Sequence, residues 1–115
     1  MVKTIVWQAL LGLDFLHNNG AFHRDIKPEN LLYSKHGDDL VVKIADFGLA
    51  KELPKLGQAK QHTDYVATRW YRAPELLLQM SSYDQKVDIF ALGCIAVELL
   101  RILPLATGHN EADQL

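Results

Sequence analysis

The chain has 115 residues, 49% of them hydrophobic and 23% charged, with a formal net charge of −2. This composition suits one soluble globular domain rather than a disordered segment, and the near balance of charge gives no general attraction to nucleic acid or to an anionic membrane surface. A single cysteine, Cys94, rules out an internal disulfide and points to a reducing compartment; its apolar neighbours suit a buried structural thiol.

Residues 3–17 read as an amphipathic helix, with Ile5, Ala9, Leu13 and Leu16 at helical spacing and Val6 and Leu10 widening the stripe. No basic segment precedes an apolar core and a small-residue cleavage site, so no signal peptide is expected. The longest apolar run, Ile89 to Val97, falls well short of the ~20 residues of a membrane span. Asn18-Asn19-Gly20 is a helix stop, with Gly20 suited to a left-handed cap. His23 to Asn30 follows as a loop, since Pro28 and its polar neighbours break regular structure. Leu31-Leu32-Tyr33 and Leu40 to Ala45 read as strands joined by a turn over Lys35 to Asp39. Such a hairpin holds Asn30 and Asp46 at its two ends, close to one another.

Residues 49–72 show no sustained periodicity; Pro54 and Gly57 mark a mobile loop of a length that is usually functional. Ala73 to Gln79 predicts a short helix. Ser82 to Gln85 has the Ser-x-x-Gln form of a capping box, opening a helix to about Leu100. That helix carries Val87, Ile89, Phe90, Leu92, Ile95, Val97 and Leu99 on nearly every face, which places it in the middle of a domain. There are no internal repeats and no low-complexity tract.

The chemistry concentrates in His23-Arg24-Asp25-Ile26-Lys27-Pro28-Glu29-Asn30. Phosphoryl transfer requires positioning and charge neutralisation more than covalent help. Asp25 is the candidate base, suited to orient a hydroxyl and take its proton. Lys27 supplies a point charge for the transferred phosphoryl. Asn30 and Asp46 offer hard oxygens suited to Mg²⁺, which usually takes only one or two protein ligands. His23 reads as a structural imidazole, because its neighbours already supply base and ligands. His17, His36, His62 and His109 are scattered without zinc-like spacing and read as surface or packing residues. Thr63 and Tyr65 flank Asp64 in the mobile loop. Phosphates there would each add roughly two negative charges, and Arg24, Arg69 and Arg72 are suited to receive them.

Three motifs occur in order: His23 to Asn30, then Asp46-Phe47-Gly48, then Ala73-Pro74-Glu75. Together they resemble the eukaryotic protein kinases, with Ile26 in place of the usual Leu. Lys27-Pro28-Glu29-Asn30 looks like the serine/threonine form. The block from Thr63 to Glu75 is similar to the group of MAP kinases and cyclin-dependent kinases, most of all the MAK-related and cyclin-dependent-kinase-like branches. The resemblance covers the whole chain. It implies a mainly α fold with a short β-hairpin, the incomplete C-terminal lobe of the protein-kinase-like fold. Residues 1–115 would then form a partial kinase domain with its catalytic loop, activation segment and central helix.

By matching position, the resemblance implies Asp25 as catalytic base, Lys27 on the γ-phosphate, Asn30 and Asp46 as magnesium ligands, and Thr68 bonded near Asp25 and Lys27. It implies Arg24, Arg69 and Arg72 as receivers of loop phosphates, with Arg69 or Arg72 also shaping a pocket for proline after the acceptor. Asp88 is implied to hold the catalytic-loop backbone. The implied function is ATP- and Mg²⁺-dependent phosphorylation of protein Ser/Thr-Pro sites. An upstream kinase would act on Thr63 and Tyr65, and the setting would be intracellular, in cytoplasm or nucleus, with no nucleic-acid or membrane partner.

Departures temper this. The linker from Leu49 to His62 is longer than in the similar branches, and Leu103 to Gly108 lacks the Phe and second Pro of the family's Pro-Leu-Phe-Pro-Gly segment. No Gly-rich phosphate loop and no Val-Ala-Ile-Lys strand occur in the 115 residues, and Met1 falls where the family has the middle of its domain. By resemblance, Glu75 pairs with an Arg beyond residue 115; breaking such a pair costs about 3–5 kcal/mol when it is buried. The chain is therefore not expected to be active alone. The alternative expectation is a non-catalytic truncated kinase lobe that binds substrates or regulators.

Overall fold

The computed structural model describes residues 1–52 and 66–115, with backbone only at Leu49, Lys51, Glu52 and residues 66–68. The expected first helix is present as α1, Val2–Asn18. It ends where Asn19 donates its backbone N–H to the carbonyls of Phe15 and Leu16, and Gly20 follows at φ 75°. The short strand β1, Ala21–Phe22, leads into the 23–30 loop, whose end is one turn of 3₁₀ helix at Pro28–Asn30.

Strands β2, Leu31–His36, and β3, Asp39–Ile44, pair antiparallel from Leu31 opposite Ile44 to His36 opposite Asp39. The turn is only Gly37-Asp38, narrower than the five residues expected. Gly37 at φ 62° supplies the left-handed backbone that a two-residue hairpin needs, so pairing extends through Lys35 and His36. Strand β4, Lys51–Glu52, pairs antiparallel with β1 in a second two-stranded sheet. Neither of these two-residue strands is long enough to show a period in the sequence. A helix followed by a hairpin, with strands in two separate sheets, corrects the expected mainly α, single-hairpin fold to an α+β one.

Helix α2 spans Pro74–Leu77, α3 spans Lys86–Arg101 and α4 spans Glu111–Gln114. The expected Ser82–Gln85 capping box does not form. Gln85 precedes α3 without a side-chain cap, and the Lys86 N–H is instead accepted by Asp84 Oδ1 at 2.8 Å. Asp84 sits closer to the first helical turn, and its ionised oxygen is the stronger acceptor there.

The main core joins α1 to α3: Ala9, Leu13, Ala91, Leu92, Cys94 and Ile95 bury together with Ile26 and Tyr71. Cys94 is buried, as its neighbours suggested, and burial pushes its thiol pKa up. A smaller cluster of Phe22, Ala73 and Val87 lies beside it, with Tyr83 edge-on to Phe22 at 5.9 Å. Gly12 permits a close approach of α1 to β3, since a Cβ there would lie 3.0 Å from Ile44 Cδ1. Gln8 links the same two elements: its amide donates to Leu40 O and accepts from Val42 N, both at 2.7 Å. Not all of α3 is covered; Ile89 and Phe90 stay about two-fifths exposed, and Ile89 borders an open groove toward Trp7 and His17 of α1. Among the described residues no helix is long and apolar enough to cross a membrane.

Tyr71 donates its hydroxyl to Glu98 Oε2 at 2.7 Å. Burial first, and Glu98 second, push its phenol well above the usual tyrosine value. A group that resists ionisation in the fold but ionises near 10 when unfolded stabilises the fold at lower pH and ceases to do so as pH rises. Above about pH 10 the unfolding free energy should therefore fall more steeply with pH in the unsubstituted chain than in Tyr71→Phe. Urea titrations of both chains from pH 8 to 11 check this; parallel slopes would contradict it.

Candidate active site

The 23–30 loop is fixed from beneath by one carboxylate. Asp88, in the first turn of α3 and 1% exposed, accepts the His23 N–H on Oδ2 and the Arg24 N–H on Oδ1, each at 2.8 Å. An ionised carboxylate is acceptor-only, and backbone donors satisfy it in a site closed to water. Arg24 takes φ 69° between these bonds, an unusual conformation for a residue with a Cβ and one that concentrates at functional sites.

His23 is fully buried and acts as a bridge. Its Nδ1 accepts the Asp25 N–H at 3.2 Å, so the proton sits on Nε2, which donates to Ala45 O at 2.9 Å. The Ala45 N–H in turn donates to Asn30 O at 2.9 Å. Ala45 is thus pinned to both ends of the loop, and the next residue, Asp46, is delivered beside it. Asp46 is exposed, adopts φ 61° and accepts the Gly48 N–H at 3.3 Å. A short polar side chain that bonds locally is among the few that tolerate this left-handed backbone. Phe47 lays its ring edge-on to His23 at 5.2 Å.

Asp25 is 6% exposed and its two oxygens differ. Oδ2 faces Lys27 Nζ at 3.2 Å and Asn30 Nδ2 at 3.4 Å, while Asn30 Nδ2 also donates to Asp25 O at 2.8 Å. Oδ1 is buried and has no partner among the described residues. With the Asn30 amide nitrogen turned to Asp25, its side-chain carbonyl is the atom suited to a cation. That carbonyl and the Asp46 carboxylate are hard oxygen donors of the kind magnesium takes. Among the described residues no group of three or more His, Cys, Asp or Glu could hold a metal ion.

The expected arginines have different partners where these are described. Arg24 Nη1 donates to Tyr83 OH at 2.9 Å. Arg69 is 8% exposed; Nη1 donates to His109 O at 3.3 Å, and Nε has no partner among the described residues. Arg72 is half-buried. Thr63 and Tyr65 lie outside the described residues, as does the side chain of Thr68. Glu75 is only half-buried, so the penalty of a buried lone carboxylate does not apply to it in full.

Two partners escaped the sequence. Tyr83, 59 residues from Arg24, carries no motif that marks it. His17 was expected on the surface or in simple packing, but its Nε2 lies 2.8 Å from Asp88 Oδ2. A lone histidine at a helix end has no local signal for a partner 71 positions away.

The protein kinase domain family matches residues 1–115. Cyclin-dependent kinase F-3 of Oryza sativa subsp. japonica is 52% identical over 99% of this chain and 25% of its own length. Cyclin-dependent kinase-like 4 of Homo sapiens is 50% identical over 100% of the chain and 29% of its own length. Serine/threonine-protein kinase MAK of Homo sapiens is 50% identical over 100% of the chain and 18% of its own length. The chain spans a third or less of the relatives it matches. The family match covers residues 1–115 and the chain runs as a helix followed by a hairpin, so the expected mainly α C-terminal lobe is corrected to an α+β part of the kinase domain. With its loop, hairpin and relatives named as serine/threonine and cyclin-dependent-type kinases, the chain belongs to the protein kinase domain family.

Proposed function

We propose that this chain carries the catalytic loop of an ATP-dependent serine/threonine protein kinase acting on Ser/Thr-Pro sites. The observation that supports it most is Asp25. Lys27 and Asn30 engage Oδ2, while Oδ1 is buried and has no partner among the described residues, as a base needs to be before it meets an acceptor hydroxyl. Asp25 Oδ1 orients that hydroxyl and takes its proton. Lys27 balances charge on the Oδ2 side and beside the transferred group. Asn30 and Asp46 would hold magnesium, and Mg-ATP supplies the phosphoryl group when bound. Thr63 and Tyr65 are proposed as sites for an upstream kinase, with Arg24, Arg69 and Arg72 receiving the phosphates and Thr68 bonding near Asp25.

The 115 residues hold no Gly-rich phosphate loop and no Val-Ala-Ile-Lys lysine. The chain by itself is therefore proposed to bind Mg-ATP weakly and to show no turnover. Phosphate transfer to paired Ser-Pro and Ser-Ala peptides tests the reading. A longer form of the protein that carries a phosphate loop is expected to favour Ser-Pro by about tenfold or more, the equivalent of about 1.4 kcal/mol. Equal use of both peptides would remove the proline preference, and transfer to neither would remove the kinase reading. Robust transfer by the 115 residues alone, lost in Asp25→Asn, would refute the dependence on further parts.

A further inference from the structure

We propose that Tyr83 completes a phosphate seat with Arg24: it aims the guanidinium and donates its own hydroxyl to the oxyanion that Arg24 receives. This rests on reading Arg24 as a receiver of loop phosphates; the bond between the two side chains does not. Arg24 Nη1 donates to the Tyr83 hydroxyl oxygen at 2.9 Å. The phenol oxygen is therefore the acceptor, and its own proton has no acceptor among the described residues. A hydroxyl in that state offers a donor beside a cation, the pairing that suits an oxyanion.

The ring is held before any ligand arrives. Tyr83 packs against the buried cluster of Phe22, Ala73 and Val87, and its ring meets Phe22 edge-on at 5.9 Å and 82°. A tyrosine fixed by its ring has little freedom left to lose, so the hydroxyl is preorganised. Arg24 is held at its other end, where its backbone N–H donates to Asp88 and φ is 69°. A long side chain otherwise loses much rotamer freedom on meeting a ligand, and the bond to Tyr83 settles part of that loss in advance. The neutrality of the phenol matters. A carboxylate in its place would aim the guanidinium equally well but oppose its charge, whereas this bond leaves the charge for the phosphate. Glu75 and Asp84 border an open groove beside the ring and repel an anion there, which confines the seat to the Arg24 side of the phenol.

Side-chain NMR on the 115-residue chain, with inorganic phosphate as the probe, tests this. Tyr83→Phe keeps the ring against Phe22 and removes only the hydroxyl; Arg24→Gln removes the charge. Arg101, exposed at the end of α3, is the internal reference. Without phosphate, the Arg24 guanidinium is expected to rotate more slowly than that of Arg101 and to quicken several-fold in Tyr83→Phe. With phosphate, the Kd read at the backbone amide of position 24 is expected to rise about tenfold in Tyr83→Phe, the scale of losing one hydrogen bond to a charged group. An unchanged Kd in Tyr83→Phe overturns the proposal, as does unchanged rotation of the guanidinium. Phosphate binding that Arg24→Gln fails to weaken overturns the seat through its receiver; rotation that still quickens in Tyr83→Phe then marks the receiver reading, and not the bond, as the part that failed. Should Tyr83→Phe not fold, the unsubstituted chain decides. An Arg24 guanidinium that turns as fast as that of Arg101 overturns the proposal, and a slow one whose Nε signal shifts with phosphate together with the Tyr83 ring supports it.

Discussion

Asp25→Asn is expected to lower kcat for transfer to a Ser-Pro peptide by about 10²–10⁴-fold, the usual contribution of a positioned general base. Asparagine keeps the shape of the side chain but not its basicity. The two donors at Oδ2, Lys27 Nζ and Asn30 Nδ2, select the amide oxygen of the new side chain. The NH₂ must then occupy the Oδ1 position and offer a proton where one is to be taken. The substitution reverses polarity at the reacting hydroxyl with little change in packing, so KM for the peptide should change little while kcat falls. Steady-state kinetics on a longer form of the protein that transfers phosphate measures both constants. An unchanged kcat would take Asp25 out of the proton path.

Asp88→Ala is expected to cost about 3–5 kcal/mol of folding stability, the scale of leaving several buried donors without their acceptor. His17 and two loop amides would lose their acceptor together, and each buried donor left unpaired costs about 1–3 kcal/mol unless water reaches it. A domain of this size has about 5–15 kcal/mol in total, so the variant would stand near the edge of folding. Asp88→Asn retains one carbonyl oxygen and should fall between the two. Urea unfolding of the three chains, followed by tryptophan fluorescence, gives the differences. A loss below about 1 kcal/mol in Asp88→Ala would mean that other contacts hold the loop.

Local pattern revealed α1, the hairpin and α3, because each repeats its apolar residues at the period of its own element. The closeness of Asn30 and Asp46 also followed from the hairpin, and the structure joins them through Ala45. What pattern could not reveal depends on distant partners or on backbone alone. β1 and β4 are two residues each and pair across 30 positions, and their presence changes the fold class expected. The left-handed backbone at Arg24 carries no glycine to announce it, since bonds from Asp88 impose it. The Lys86 amide at the start of α3 turns to Asp84, two positions after Ser82, because the helix starts later than the motif implied. The division of duties between the two oxygens of Asp25 required coordinates, since sequence can nominate a carboxylate but not say which lone pairs are occupied.

Gln8 has a consequence for how this chain meets others. Its amide takes the carbonyl of Leu40 and the N–H of Val42, two residues apart on one side of β3, as a residue of an adjoining strand would. A two-stranded hairpin ordinarily offers both outer edges to any extended chain that passes. On the β3 side that invitation is withdrawn: one glutamine on a helix stands in for a third strand.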